Sequence, residues 1–397
     1  MDKKCQKCNN LFIITEEDQV FYDKISVPAP TFCPDCRLKR RIVFRNERTL
    51  YKRNCDLCKK DIASIYHKDA PVVVYCEKCW WSDKWDSMEY GRNYDFNRPF
   101  FEQFKELWSV VPRAGMEQES LTLINCYYCN DCWEAKNLYY CTTTGDRSEN
   151  CSYCSATLNT KDSMDCFWVF DGEKIYESID SYKSYNVYFS KYVDNCLDSY
   201  FLYDCRNSMY CFGSVGLRNK KYHIFNKPYS KEEYFKKLKE FDLGSFSNLE
   251  KIKQKFKEYK LTFPNKYAFI LNSVNVSGNN IRNSKNCENC FELARGVEDS
   301  KYIIYAQYLR NSYDLYNAGT NTELCYELTS AVVNINRVKF SYSVLDSTNI
   351  EYCNLIQNSN FIFGSIGLRK KQYCILNKQY TKEEYEKLVP KIIKHMG

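Results

Sequence analysis

The sequence predicts a mainly β protein: N-terminal four-cysteine modules followed by a duplicated β-solenoid with capping and linking α-helices. Three observations carry this reading. Four C-x-x-C pairs fall in the first 79 residues, short Asn/Asp–Ser/Cys motifs recur twelve residues apart, and a 23-residue block returns 151 positions later. At 397 residues the chain is too long for one ordinary domain. Its 44% hydrophobic content excludes a disordered chain. No apolar run approaches the roughly eighteen residues of a membrane span. The start is charged with no apolar stretch behind it, unlike a secretory signal, so a reducing, cytoplasmic location is expected. Only 13 glycines speak against Gly-rich nucleotide-binding architectures, and 3 histidines leave little for His-based catalysis.

The cysteine pairs are Cys5/Cys8, Cys33/Cys36, Cys55/Cys58 and Cys76/Cys79. One C-x-x-C turn points two sulfurs at a centre, and a second completes a closed shell of four thiolates suited to structural zinc. The inner set, C-x2-C-x17-C-x2-C, has zinc-ribbon spacing. The outer set has a 24-residue insert, compatible with a ribbon or treble clef. Two zinc ions are expected, and an interleaved pairing of the four knuckles also fits the spacing. The modules are read as 1–54 and 55–115.

Between the knuckles, residues 37–53 carry eight positive charges (Arg37, Lys39, Arg40, Arg41, Arg45, Arg48, Lys52 and Arg53) against Glu47 alone. Their net of +7 equals that of the whole chain. Phe44 and Tyr51 interleave, so the segment is a candidate nucleic-acid contact, RNA or DNA. The alternative is a solvated face whose charges pair with nearby acids such as Asp83, Asp86, Glu89 or Asp95. Further on, Phe100, Phe101, Phe104, Leu107 and Trp108 fit one helical face between Pro99 and Pro112. That cluster reads as a small core packing the helix against a zinc knuckle.

From about residue 120 the motifs begin. Asn150-Cys151 and Asp162-Ser163 lie twelve apart, as do Asp346-Ser347 and Asn358-Ser359, with aromatics and β-branched residues near-alternating between them. Local repeats of this kind signal stacked coils. Asn and Asp can serve the corners because they accept left-handed dihedrals. The block from Phe212 to Tyr234 returns from Phe363 to Tyr385 with 16 of 23 positions identical. Each copy ends in a helix announced by a capping box, Ser230 with Glu233 and Thr381 with Glu384. Ser247 with Glu250 suggests the start of a linking helix. The units are therefore a first solenoid copy over 120–244, a helical linker over 245–265 and a second copy over 266–397.

Fifteen cysteines remain, ten from 126 to 211 and five from 287 to 374. Cys126, Cys129, Cys151 and Cys154 have ribbon-like spacing for a third zinc. Thinning of cysteine in the second copy, where Ser, Tyr or Ile replaces it, favours small buried packing residues instead.

The Cys5-x-x-Cys8, Val27-Pro-Ala-Pro30, Cys33-Pro-Asp-Cys-Arg-Leu-Lys-Arg-Arg41, Arg45-Asn-Glu-Arg48, Leu50-Tyr-Lys-Arg53 and Cys79-Trp-Trp-Ser-Asp-Lys-Trp-Asp86 segments, with the paired Gly-Leu-Arg-x-Lys and Asn-Lys-x-Tyr blocks, resemble a Cys-rich family of candidate-phylum bacteria. The likeness spans nearly the whole chain. It implies an N-terminal zinc-ribbon domain and carries no established activity. Some members bear a CaiB/BaiF-type CoA-transferase label, which no Gly-rich cofactor segment or catalytic constellation here supports.

The leading expectation is a zinc-binding, non-enzymatic binding or scaffold protein contacting nucleic acid through 37–53. The alternative is a protein–protein scaffold using a Tyr-rich solenoid face. An enzyme is third: Asp171, Glu173 and Glu177, or Glu323 and Glu327, could gather, but no catalytic residue is assigned.

Overall fold

The computed structural model describes residues 1–306, 308–318, 322–323, 325–332 and 335–396, the side chains of 120, 293–295, 305, 317–318, 322–323 and 330–332 excepted. Among these, two 16-stranded, almost wholly parallel sheets dominate, one over 123–228 and one over 270–379. Hydrogen-bonded neighbours lie twelve residues apart through most of the first sheet and twelve or thirteen apart through most of the second. Ser155 pairs with Phe167, Phe167 with Ile179 and Ile179 with Lys191; Tyr342 likewise pairs with Asn354. In the first sheet, alternate strands form two ladders joined through the strand Leu197–Arg206, so the sheet bends around a narrow interior.

The period inside each turn is three, where near-alternation was expected. From Asn150 to Asp204 every third residue has left-handed backbone, with φ between 43° and 59°. The residue after each of these points inward. Cys154, Cys166, Ser178, Ser190 and Leu202 make one buried interior column, while Ser163, Ile175, Val187 and Ser199 belong to another. The left-handed residues stack outside, and their amides bond along the column: Asn137 to Asn150 at 2.9 Å, then Asn150 to Asp162 at 2.8 Å.

This explains the Asn/Asp–Ser/Cys motif physically. Asn and Asp tolerate the left-handed region, and the inward hydroxyl or thiol replaces missing backbone pairing. Ser178 Oγ donates to Tyr176 O at 3.0 Å and accepts from Ser190 N–H, twelve residues on, at 3.1 Å. Cys196 Sγ bonds the carbonyls of Asp194 and Cys205. Small polar side chains thus satisfy buried groups that a strand alone leaves open.

The duplicated block closes each stack. Gly213 and Gly216, like Gly364 and Gly367, hold positive φ. A Cβ on Gly213 would meet Phe225 at 2.8 Å. Asn226 then acts as a final rung, accepting from Val215 N–H at 2.8 Å and donating to Val215 O at 2.7 Å. Asn377 does the same with Ile366 at 2.7 and 2.8 Å.

The helices in chain order are α1 (Glu16–Lys24), α2 (Pro34–Val43), α3 (Glu77–Trp80), α4 (Phe100–Val110), α5 (Lys231–Glu240), α6 (Phe246–Leu261) and α7 (Lys382–His395), and the last four cover these ends. Both expected capping boxes form, at the starts of α5 and α7. The start of α6 differs from expectation: Ser245, two residues earlier, is its cap and accepts from Asn248 N–H. Helix α4 spans the predicted stretch but packs elsewhere. Phe100, Leu107 and Val111 join Phe363, Ile375 and Leu376 at the closed end of the second stack, so the helix caps a stack rather than backing a knuckle.

The two stacks lie side by side in opposite senses. Late turns of the first meet the start of the second, through Arg282 on Asp194 and Asn280 on Asp180. The start of the first faces the end of the second, where Asp131 and Leu345 line one cleft.

Candidate metal centres

Two of the four knuckles are tight turns between antiparallel strands. Cys5–Cys8 sits between β1 (Asp2–Lys4) and β2 (Leu11–Ile13), and Cys55–Cys58 between β3 (Tyr51–Asn54) and β4 (Asp61–Ser64). The turns match bond for bond. Cys5 N–H reaches Asn10 O and Asn9 N–H reaches Cys5 O, both at 2.9 Å; Cys55 N–H reaches Lys60 O at 2.8 Å and Lys59 N–H reaches Cys55 O at 2.9 Å. Asn9 and Lys59 both take positive φ, 64° and 62°.

The remaining ligands come from helix starts. Cys33 caps α2 and Cys36 lies in its first turn; Cys76 caps α3, with Cys79 following. A hairpin knuckle joined to a helix N-terminus is the treble-clef arrangement, and the positive end of the helix favours thiolate there.

The structure pairs Cys5, Cys8, Cys33 and Cys36 in one set and Cys55, Cys58, Cys76 and Cys79 in the other, with all ligand atoms of a set within 4.8 Å of one another. This settles the pairing that spacing left open, against the interleaved arrangement. Cys8 Sγ lies 3.7 Å from Cys33 Sγ, and Cys58 Sγ lies 3.7 Å from Cys76 Sγ. A tetrahedron with Zn–S near 2.3 Å has S···S edges of about 3.8 Å. The two sets therefore fit two structural zinc ions.

Electrostatics agree with that fit. Burial pushes the Cys5 thiol up, but N–H bonds from Cys33, Cys8 and Lys7 outweigh it and bring it to about 6. Cys55 falls to about 7 for the same reasons. Burial, then the neighbouring thiols, push Cys36 and Cys79 up to about 12. Four thiolates cannot share so small a space without a cation, and a divalent ion supplies the missing charge.

Cys126, Cys129, Cys151 and Cys154 lie in the interior columns of the first stack. Their thiols bond carbonyls, as Cys154 Sγ does with Ser152 O at 3.3 Å and Ser163 O at 3.5 Å.

The basic segment is divided. Arg37, Arg41, Arg45 and Arg53 are buried, whereas Lys39, Arg40, Arg48 and Lys52 are exposed. Arg37 and Arg41 share the buried carboxylate of Asp314, and Arg40 pairs with Glu327, all in the second stack. Arg45 pairs with Asp131 of the first stack and with Glu47. Arg53 pairs with Asp56 inside its own module. Arg48 donates to Ser155 Oγ at 3.0 Å and lies over the Phe167 ring. Residues 37–48 thus join both stacks. None of the expected partners, Asp83, Asp86, Glu89 or Asp95, pairs with these arginines among the described residues. Asp314, Glu327 and Asp131 were invisible from local sequence because they lie between 86 and 287 residues away from their arginines. Of the carboxylates considered for catalysis, Asp171 accepts from Asn159 and Glu177 pairs with Lys253, while the Glu323 side chain lies outside the described residues.

Residues 1–44 match a family model described as "Probable treble clef domain". No curated protein matches the chain. Among solved structures, a "putative acetyltransferase" from Desulfovibrio desulfuricans G20 is similar at 8% identity and a TM-score of 0.14, over 63% of this chain and 56% of that one. No helix among the described residues is long and apolar enough to cross a membrane.

Proposed function

We propose that the protein is a zinc-clamped, non-enzymatic binding scaffold built on two β-solenoids, and that it takes another protein on a tyrosine cluster. The single observation carrying this is the exposed aromatic patch on the first turns of the first stack. Tyr127, Tyr128, Tyr139, Tyr140 and Tyr153 are 43–60% exposed, beside Ile124 at 58% and Leu121 at 90%. Their rings touch edge to face, Tyr128 with Tyr139 at 5.9 Å and Tyr139 with Tyr153 at 5.6 Å. Contiguous apolar surface of this kind marks interaction sites, and tyrosine supplies contact area at low entropic cost. The twelve-residue parallel register and the interior columns support the solenoid reading. The units 1–54, 55–115, 120–244, 245–265 and 266–397 are retained as its parts. Cysteines that are free throughout fit a cytoplasmic location.

A second reading keeps nucleic acid as the ligand. Tyr140 Oη donates to Arg48 O at 3.5 Å, which sets exposed Arg48 beside a ring able to stack a base. Against it, half the cations of the segment are buried and paired. Affinity capture from extract with and without nuclease separates the readings. Capture of a partner that survives nuclease and is lost in the Tyr127→Ser/Tyr139→Ser/Tyr153→Ser variant supports the protein reading. Capture abolished by nuclease transfers the function to nucleic acid.

A further inference from the structure

The duplication places two arginines at equivalent positions with different surroundings. In the first stack Arg218 Nη2 donates to Asp204 Oδ1 at 2.7 Å. The 151-residue offset carries Arg218 to Arg369 and Asp204 to Leu355. The backbone is the same at both carboxylate positions, with φ of 51° at Asp204 and 56° at Leu355. Asp tolerates that region better than Leu, so backbone geometry does not explain the exchange.

Among the described residues no carboxylate pairs with Arg369. Its guanidinium lies 4.4 Å from the ring centres of Trp80 and Trp81 and 5.6 Å from that of Trp85. Its only hydrogen bond among the described residues runs from Nη2 to Trp80 O at 2.9 Å. Burial lowers its pKa to about 10, which leaves it charged at neutral pH. The indoles hold the guanidinium plane while most of its five N–H donors remain available.

Arg369 lines a cleft of about 130 Å³ where the second zinc module, the start of the first stack and the end of the second meet. Trp133, Val344 and Leu355 give it apolar walls, and Glu117, Glu119 and Asp131 also line it. Glu117 accepts from Tyr342 Oη and Asp131 is paired with Arg45. Glu117, Glu119 and Asp131 share the lining with Arg369 and disfavour polyanions such as phosphates or nucleic acid, so a ligand carrying a single anionic group fits better.

We propose that this cleft binds one small monocarboxylate with an apolar body. The carboxylate supplies Arg369 with the counter-charge that Asp204 supplies to Arg218, in the bidentate geometry arginine favours. The hydrocarbon lies against Leu355, Val344 and Trp133.

Calorimetric titration of the zinc-loaded full chain tests this with three probes: 4-methylpentanoate, 4-methylpentan-1-ol and inorganic phosphate. The acid is expected to saturate one site, with the alcohol and phosphate at least tenfold weaker. Leu355→Asp should restore the ion pair of the first copy and abolish acid binding with zinc content unchanged. Arg369→Gln should weaken the acid at least tenfold, and Arg218→Gln should leave it unchanged. If Leu355→Asp disturbs zinc content, Arg369→Gln with an unchanged melting temperature decides the matter. Absence of saturation by 10 mM acid on the scale of weak millimolar sites, equal binding of acid and alcohol, or indifference to Arg369→Gln would each overturn the proposal.

Discussion

Arg37 Nε donates to Asp314 Oδ2 at 2.8 Å across 277 residues of chain, with both side chains almost fully removed from solvent. Arg41 Nη2 lies 3.2 Å from the other oxygen of the same carboxylate. Helix α2 is therefore tied to the second stack by a desolvated charge cluster. Around it, Phe21 stacks on Tyr313 at 3.8 Å and Tyr22 meets Tyr326.

Removing the shared carboxylate leaves two buried guanidiniums without a counter-charge. Asp314→Ala is expected to lower stability by about 3–5 kcal/mol. The combined Arg37→Met/Arg41→Met/Asp314→Leu variant should recover most of that loss, since apolar residues of similar volume replace such clusters well. Urea unfolding midpoints of the two variants give the comparison. A single variant as stable as the parent would show that water reaches the cluster.

The two metal sets are separate, so each should fail alone. Cys8→Ser and Cys58→Ser should each halve the zinc content of the chain, measured by elemental analysis, from two ions to one. Structural zinc contributes on the order of 10 kcal/mol in small domains, so each loss should unfold the affected module. Trp80 belongs to the core around the second set; tryptophan fluorescence should therefore respond far more to Cys58→Ser than to Cys8→Ser.

Cysteines of the interior columns should behave differently. Cys196→Ser keeps a small group able to bond the same carbonyls and should change stability by about 1 kcal/mol or less with zinc content intact. Ser184→Ala removes the acceptor of Cys196 N–H, a bond of 3.2 Å in the buried core. An unsatisfied buried donor costs about 1–3 kcal/mol, so Ser184→Ala should be the more damaging change. Thermal melts of the two variants rank them.

Asp180 sets a pH dependence. Burial, then the Glu292 charge, raise its carboxyl from 3.8 to about 7, although Asn280 Nδ2 donates to it at 2.6 Å. The folded state therefore favours the neutral acid. Its stabilising contribution is complete below pH 3.8 and is lost as pH rises through about 7. Asp180→Asn mimics the neutral form. Relative to the parent it should gain stability on the order of 1–3 kcal/mol between pH 5 and pH 8, read from urea midpoints at the two values. A parent and variant with parallel pH profiles would remove Asp180 as the cause.

Features set by neighbours within a few residues were legible in the sequence. A C-x-x-C turn orients two sulfurs through the geometry of four residues, and Ser230 or Thr381 caps its helix through a glutamate three residues on. The 151-residue echo likewise announced a repeated end structure, because Gly213, Gly216 and Asn226 meet local backbone demands that Gly364, Gly367 and Asn377 meet again. The three-residue interior period was missed because aromatic residues such as Tyr153, Trp168 and Phe189 occupy left-handed positions alongside Asn and Asp and mask the pattern.

The sequence by itself determined the eight cysteines as candidate ligands, the duplication and the helix caps, since each rests on contacts between residues close in the chain or repeated along it. Only the tertiary structure decided which knuckles share a metal and which of the eight cations in 37–53 remain at the surface. Charge is a local property of the sequence, whereas burial depends on what packs against it. Asp314, 277 residues from Arg37, is what turns a basic surface candidate into an internal clamp.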